Sequence, residues 1–218
     1  MRERPAPKSS GKRQLGRPSE SSSAETKIAI LRGARSAFSR LGYVATTYRE
    51  LQLRTGYTVA TIYHYFPSKI DLYAAVLDDV TSVMYDEWIL PGLVGCSTFE
   101  EFVDAFFVTV KTMHEAEEDL TLFVLSARVD SQRHPEVASL RQGNNDIRYE
   151  MINRIGEAAI RDGILSRRDH SIFVDTFDAI TAGLVIEAGD PRRYANALAG
   201  FRLLLQSNLF VGRSSRTE

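Results

Sequence analysis

Apolar residues recur at helical spacing from residue 24 onward, and no segment alternates with the two-residue period of a strand. Ile28, Leu31, Ala34 and Phe38 form one stripe, with Lys27, Arg32, Arg35 and Arg40 elsewhere on the wheel, and Gly42 marks a C-terminal stop. Thr47-Tyr48-Arg49-Glu50 has the form of a capping box, in which threonine and glutamate reciprocally satisfy the first free N–H groups of a helix. That helix is short: Leu51 is its apolar anchor and Gly56 ends it. Thr58 opens a second short helix, Val59-Ala60-Thr61-Ile62-Tyr63-His64. Pro67 closes it, because the residue before a proline is pushed out of the helical region. Two brief helices joined through a glycine-containing turn make a helix-turn-helix. Ser68-Lys69-Ile70-Asp71 then caps a further helix in the same style.

The later helices are delimited by their punctuation. Pro91-Gly92 breaks the helix begun at Ser68, and Thr98-x-x-Glu101 opens the next, with the stripe Phe99, Phe102, Val103, Phe106, Val110 and Met113. Another carries Leu120, Phe123, Val124 and Ala127. Pro135 stands at the first position of a helix expected to run to Asp162-Gly163. Ser166-x-x-Asp169 caps the following one, and Asp190-Pro191 starts the last. These last two are apolar beyond a single stripe: Ile172, Phe173, Val174, Phe177, Ile180, Leu184, Val185 and Ile186 on one, Phe201, Leu203, Leu204, Leu205, Leu209 and Phe210 on the other. Helices apolar on two sides need a second partner, and Ala179, Ala182, Gly183, Ala195, Ala199 and Gly200 permit close approach. The expected fold is all-α: an N-terminal arm over residues 1–23, a three-helix helix-turn-helix domain over 24–72, and a larger helical domain over 73–218.

Charge changes this picture because it is unevenly spread. Residues 1–72 hold 13 Lys+Arg against 5 Asp+Glu, a net of +8, and residues 73–218 hold 14 against 23, a net of −9, which together give the overall −1. A basic field confined to the segment with the helix-turn-helix is the electrostatic footprint of a nucleic-acid-binding module. The first 23 residues, with three Pro, two Gly and six Ser, cannot bury enough surface to offset the entropy of ordering. They form either a solvated tail or a basic arm whose Arg17, between Gly16 and Pro18, enters a minor groove of negative potential.

From Ala34 to Leu72 the chain closely resembles the TetR-type repressors. Phe38, Gly42-Tyr43, Thr46-Thr47, Leu51, Gly56, Ser68-Lys69 and Leu72 carry the likeness, with Thr61-Ile62-Tyr63-His64-Tyr65-Phe66 its most specific run. It spans roughly residues 25–75. The resemblance implies that residues 58–64 lie in the major groove, where base edges present a distinguishable code. It further implies phosphate contacts from Thr47, Tyr63, His64 and Lys69. Thr58 and Thr61 would bond base edges or phosphates, and Val59 and Ala60 would touch thymine methyls. Tyr65, Phe66 and Ile62 are expected in the core. Gln52, Tyr57 and Val59 depart from the family's usual residues, and Val59 in particular removes an expected phosphate contact.

The same resemblance implies that residues 73–218 bind an effector and dimerise. A four-helix interface would use Phe173, Phe177, Ala179, Gly183, Leu184, Ala195, Ala199 and Arg202, presenting two reading heads to an inverted repeat in double-stranded DNA. An apolar cavity would be lined by Met84, Trp88, Phe102, Phe106, Met113, Phe123 and Tyr149. The expected activity is that of a cytoplasmic homodimeric repressor, released from its operator by a small, largely apolar ligand. The alternative is a ligand-independent architectural DNA-binding protein on the same fold. The acidic run Glu115, Glu117, Glu118 and Asp119 suits either a cationic ligand or a solvated face.

Other classes find little support. The longest apolar run, Ala179–Ile186, is far below the ~18–20 residues of a membrane span, and no apolar segment follows the basic N-terminus as a secretory signal requires. A single cysteine, Cys96, precludes an intrachain disulfide. No phosphate-binding glycine loop, His-Glu-x-x-His or Gly-x-Ser-x-Gly is present. His114, His134 and His170 lack metal-ligand spacing, so no enzyme activity, cofactor or metal is expected.

Overall fold

The computed structural model describes residues 20–141 and 145–207. Arg17, Leu209 and Phe210 therefore lie outside the described residues. The elements run α1 (Glu20–Ala45), α2 (Tyr48–Thr55), α3 (Val59–Tyr65), α4 (Lys69–Ser82), α5 (Leu90–Gly92), α6 (Phe99–Ala116), α7 (Glu118–Arg133), α8 (Pro135–Arg141), α9 (Asn145–Arg161), α10 (His170–Leu184) and α11 (Pro191–Gln206). Among the described residues no strand occurs, and no helix is long and apolar enough to cross a membrane.

Several boundaries differ from the sequence reading, each for a local reason. The first helix begins at Glu20, inside the segment assigned to the arm, and the Ser23 hydroxyl reaches that of Tyr65 at 3.1 Å. Helical geometry breaks at Gly42, where the sequence places the stop, with φ 77° and ψ 173°, values that glycine adopts without a Cβ clash, and one short turn to Ala45 follows. The helix begun after Ser68 reaches Gly92 through a π-helical stretch, Val83–Ile89, which hydropathy cannot reveal. The helix expected from Pro135 to Arg161 is described as α8 and α9, with 142–144 between them outside the described residues.

The caps follow the punctuation with two chemical differences. Thr98 and Glu101 close both halves of a capping box at α6. At α2 only half forms: Thr47 accepts from the Glu50 N–H at 3.2 Å, while the Glu50 carboxylate pairs with Arg54 one turn on, at 3.1 Å. Asp190 caps α11, accepting from the N–H groups of Arg192 and Arg193. Ser166 makes no cap bond to backbone; its hydroxyl donates to Asp169 ahead of α10.

Two cores result. Ile30, Ala34, Phe38, Leu51, Ile62, Leu72, Tyr73 and Val76 fill the first and continue without a break into Met113, Leu120 and Phe123 of the larger domain. The second holds Phe99, Phe102, Phe106, Phe107, Ile152, Ile155, Phe173, Phe177 and Phe201. Within the first, α1 presses on the end of α2 at Gly33, where an added Cβ would sit 2.8 Å from the Thr55 Cα. Gly33→Ala is therefore expected to force the two helices apart, costing about 1–3 kcal/mol. A thermal melt within 1 °C of the parent would show that the contact yields without cost.

Candidate nucleic-acid interface and cavity

The three N-terminal helices present one polar surface. α3 is anchored inward by fully buried Ile62, which leaves Tyr63 and His64 exposed on the outside. Its start is held by Thr58, whose Oγ1 accepts from the Thr61 N–H at 3.1 Å and lies 2.9 Å from the Thr61 Oγ1. The two threonines thus form a preordered pair at the helix entrance, with exposed Ala60 beside them and Val59 half-buried. Tyr63 stacks on Tyr48 of α2 at 4.4 Å between centroids and 23° between planes, which holds the exposed phenol at a defined place. Burial, and then the hydrogen bond to Tyr63, push the Tyr48 phenol well above its ordinary value, so it stays neutral. Thr47, exposed at the N-terminus of α2, completes the surface.

Lys69 is more engaged than a free cation would be. Its ammonium donates to the carbonyls of Val44 and Thr46 at 3.4 and 3.3 Å and lies 4.5 Å from the centre of the Tyr43 ring. Burial lowers its pKa, and the charges of Asp130 and Glu136 act in the opposite direction. Two of three donors are occupied by the kinked end of α1, which leaves one for a phosphate. Tyr65 and Phe66 pack inward as expected, Phe66 at 4% exposure. Gln52 is exposed and so does not disturb α2–α3 packing, whereas Tyr57 packs against the core.

Residues 30–76 match the family model of the bacterial regulatory proteins of the tetR family. This domain is a TetR-type DNA-binding domain. The chain is accordingly a DNA-binding transcriptional regulator of the helix-turn-helix class. A search of curated protein sequences gives no significant match. Solved structures share the fold over about four fifths of the chain. A TetR-family regulator from Agrobacterium tumefaciens aligns at 18% identity and TM-score 0.69, over 82% of this chain and 96% of its own. A transcriptional regulator from Saccharomonospora viridis in complex with choline aligns at 20% identity and TM-score 0.67, over 82% and 95%. A protein from Clostridium perfringens described as a fatty acid metabolism regulator aligns at 16% identity and TM-score 0.65, over 81% and 96%. At these identities the likeness establishes the fold.

Beyond the TetR-type domain lies a cavity of about 80 Å³, walled by the π-helical stretch, α6, α7, α9, α10 and α11. Of the residues expected to line it, Met84, Phe106 and Met113 do. The other four do not. Phe123, wholly buried, stacks near Tyr73 in the first core, and Trp88 packs against that same core. Phe102 and Tyr149 meet at a separate surface cleft beside Cys96. The periodicity places Phe102, Phe106, Met113 and Phe123 on apolar stripes; which core a stripe faces depends on neighbouring helices. Missed were Tyr85, Ile89, Val124, Arg128, Arg148 and Met151. A usable signal existed for the charged pair: Arg128 ends an apolar stripe and Asp178 interrupts one, and the structure pairs them at 3.0 Å.

The residues expected at the interface divide between the interior and the surface. Phe173, Phe177 and Leu184 face inward: the two phenylalanines join Phe99, Phe106 and Phe201 in the second core, and Leu184 lines the cavity. Arg202 is tied to Asp104 at 2.8 Å. Exposed instead are Ile172, Ile186, Leu203 and Leu204, at 48–68% relative exposure, beside the exposed small residues Ala179, Gly183, Ala195 and Ala199.

The acidic run divides: Glu115 and Glu118 are exposed, as on a solvated face, while Glu117 and Asp119 turn to α1. Glu117 pairs with Arg35 at 2.7 Å, Asp119 with Arg40 at 3.6 Å, and Glu115 with Lys111 at 3.8 Å. Two of its carboxylates thus clamp α1. Among the described residues no cluster of His, Cys, Asp or Glu could hold a metal.

Proposed function

We propose that the protein is a homodimeric repressor that reads an inverted repeat with α3 and leaves it when a small ligand fills the cavity. The observation that carries this reading is the double engagement of α7. Thr121, Val124 and Arg128 lie on its cavity face. Asp119, Ser126 and Asp130 project from the opposite face, since one residue turns ~100° about the axis. That second face holds the DNA-binding domain: the Ser126 hydroxyl donates to the Phe38 carbonyl at 2.9 Å, and Asp130 accepts from the Tyr43 N–H at 2.9 Å. A ligand that displaces α7 must also displace α1. It shifts the reading heads only by as much as it binds one arrangement better than the other.

Thr58, Val59, Ala60 and Thr61 are the proposed base-reading residues, and Thr47, Tyr63, His64 and Lys69 the phosphate contacts. Dimerisation is proposed through the exposed apolar surfaces of α10, α11 and the 3-10 turn Val185–Gly189 between them, because Ile172, Ile186, Leu203 and Leu204 cannot all be satisfied within one chain. A two-fold axis there spaces two copies of α3 by one helical turn of DNA. Leu203→Glu is expected to give a monomer by sedimentation and to abolish operator binding while leaving the fold intact; an unchanged dimer would place the interface elsewhere.

Selection from random duplex DNA tests the whole reading. One enriched inverted repeat, bound ~10³–10⁷-fold more tightly than random DNA, is expected. Binding without enrichment, with a steep salt slope, would replace this reading by the architectural one.

A further inference from the structure

The cavity wall is largely apolar, with Met84, Ile89, Phe106, Val110 and Met151 among its residues. Its charged members, Arg128 and Arg148, each have a guanidinium nitrogen 3.0 Å from Asp178 Oδ1, so both are already engaged within the protein. What the wall leaves unmet is hydroxyl groups. Thr121 is 3% exposed, and its Oγ1 has no hydrogen-bond partner among the described residues. A threonine inside a helix ordinarily returns its hydroxyl to a carbonyl one turn earlier, as Thr112 does to Val108 and Thr181 to Phe177, both at 2.9 Å. Thr121 makes no such bond and faces the cavity instead. Tyr194, another lining residue, is also 3% exposed. Burial alone pushes its phenol up to about 12, with no hydrogen bond contributing, so it stands as a neutral donor. Its ring packs on that of His114 at 4.4 Å between centroids. His114 lies in the last turn of α6 and Thr121 at the start of α7, so both hydroxyl residues stand where the one helix turns into the other. Arg128 lies two turns further along α7, ~10 Å away. Tyr85 belongs to that far end, where the charges of Arg148, Asp178 and Arg128 all act on its phenol.

We infer that the effector is a small uncharged molecule with an apolar body and one carbonyl or hydroxyl oxygen, which hydrogen-bonds to Thr121 and Tyr194. This rests on the ligand-release reading above and names the chemistry of its ligand. An uncharged oxygen satisfies hydroxyls that the protein leaves without partners, in a space where low polarity strengthens each bond. An ionic ligand loses its hydration on entering, and the two guanidinium groups are already held by Asp178. A pure hydrocarbon fills the space but leaves the Thr121 hydroxyl unsatisfied. Thr121 stands on the cavity face of α7, so a bond to it acts on the helix that holds the DNA-binding domain through Ser126 and Asp130. The volume of about 80 Å³ accommodates roughly six water-sized groups, which limits the body to a short chain or a small ring.

The test is calorimetric titration and thermal melting of the full-length protein with cyclopentanone and pentanol, set against cyclopentane, pentanoate and pentylammonium. At least one of the two oxygen compounds is expected to bind and raise the melting temperature, and each of the other three to bind at least about tenfold more weakly. Thr121→Val and Tyr194→Phe each remove one hydroxyl at nearly constant shape. Each should weaken the oxygen compound about tenfold and leave cyclopentane unaffected. Tyr85→Phe, at the far end, should change binding less than about threefold. Without any ligand, Thr121→Val should raise the melting temperature by about 2–4 °C, because it removes a buried hydroxyl that has no partner. A lower melting temperature for that ligand-free variant would show that the protein satisfies the hydroxyl itself, and would overturn the inference. So would cyclopentane, pentanoate or pentylammonium binding as tightly as the oxygen compounds, binding insensitive to both hydroxyl variants, a loss for Tyr85→Phe as large as theirs, or no binding of either oxygen compound. Binding of the oxygen compound that leaves DNA affinity unchanged would instead sink the release reading. Release of DNA by an ionic molecule, with neither oxygen compound bound, would sink this inference alone.

Discussion

Replacing Asp130 by alanine is expected to lower stability by about 3–5 kcal/mol. For a chain of this size that is a fall of roughly 6–20 °C in melting temperature. The residue is 6% exposed, and its Oδ2 accepts from the Tyr43 N–H at 2.9 Å, the Tyr73 hydroxyl at 3.0 Å and the Ser126 hydroxyl at 3.3 Å. One carboxylate thus fastens the kinked end of α1, the start of α4 and α7. The kink brings the Tyr43 N–H to it: an L residue at position 42 would be strained at φ 77°, and its Cβ would come within 3.2 Å of Oδ1. Removing the side chain takes away an acceptor shared by three donors and also severs the junction between DNA-binding domain and cavity. Asp130→Ala should therefore loosen the dependence of DNA affinity on ligand. Asp130→Asn, which keeps one acceptor oxygen, should fall between. A melting temperature within 2 °C of the parent for the alanine variant would show that the junction is held by its apolar contacts alone.

The second large effect concerns DNA. Tyr63→Ala is expected to lower affinity for every duplex by about 10–100-fold and to reduce the slope of log K against log salt by about one. Its phenol is the proposed phosphate contact, and the alanine variant also leaves Tyr48 without the ring on which it stacks at 4.4 Å. Tyr63→Phe separates the two roles, keeping the stack and losing the hydroxyl, so it should show a smaller loss. Thr61→Val should behave differently, changing preference between sequences by about 1–3 kcal/mol at one position and leaving the salt slope unchanged. Equal losses on all sequences for both Tyr63→Ala and Thr61→Val would mean that Thr61 touches phosphate and that bases are read elsewhere on α3.

The helix-turn-helix was legible because its information is local. Thr58 caps, Ile62 anchors and Gly56 turns within a span of seven residues, and each role follows from backbone chemistry that neighbours cannot alter. Gly56, with φ 74° and nothing within 4 Å of an added Cβ, is needed for its conformation alone. The half-formed box at α2 marks the limit of such reasoning: the Glu50 carboxylate could serve the helix start or Arg54, and side-chain geometry chose the ion pair.

The cavity and the dimer face were not legible in the same way. Phe102, Phe106, Phe173, Phe177 and Leu184 all satisfy helical periodicity, yet Phe106 and Leu184 border the cavity, Phe102 lies at a separate cleft, and Phe173 and Phe177 fill the second core. A stripe states only that a residue is buried somewhere. Which helix covers it is set by packing between elements far apart in the chain. Arg128, Arg148 and Asp178 meet across fifty residues, and the run from Glu115 to Asp119 finds its arginines some eighty residues earlier.

By itself the sequence determined that the protein is all-helical, where most helices start and stop, and that its first third is a basic DNA-reading module, because capping, periodicity and charge act over a few residues. Only the tertiary structure decided that α7 joins that module to a cavity bearing two arginines and that Ile172, Ile186, Leu203 and Leu204 are left facing outward. The reason is physical: burial is a property of the closed packing of several helices, and no single helix carries it.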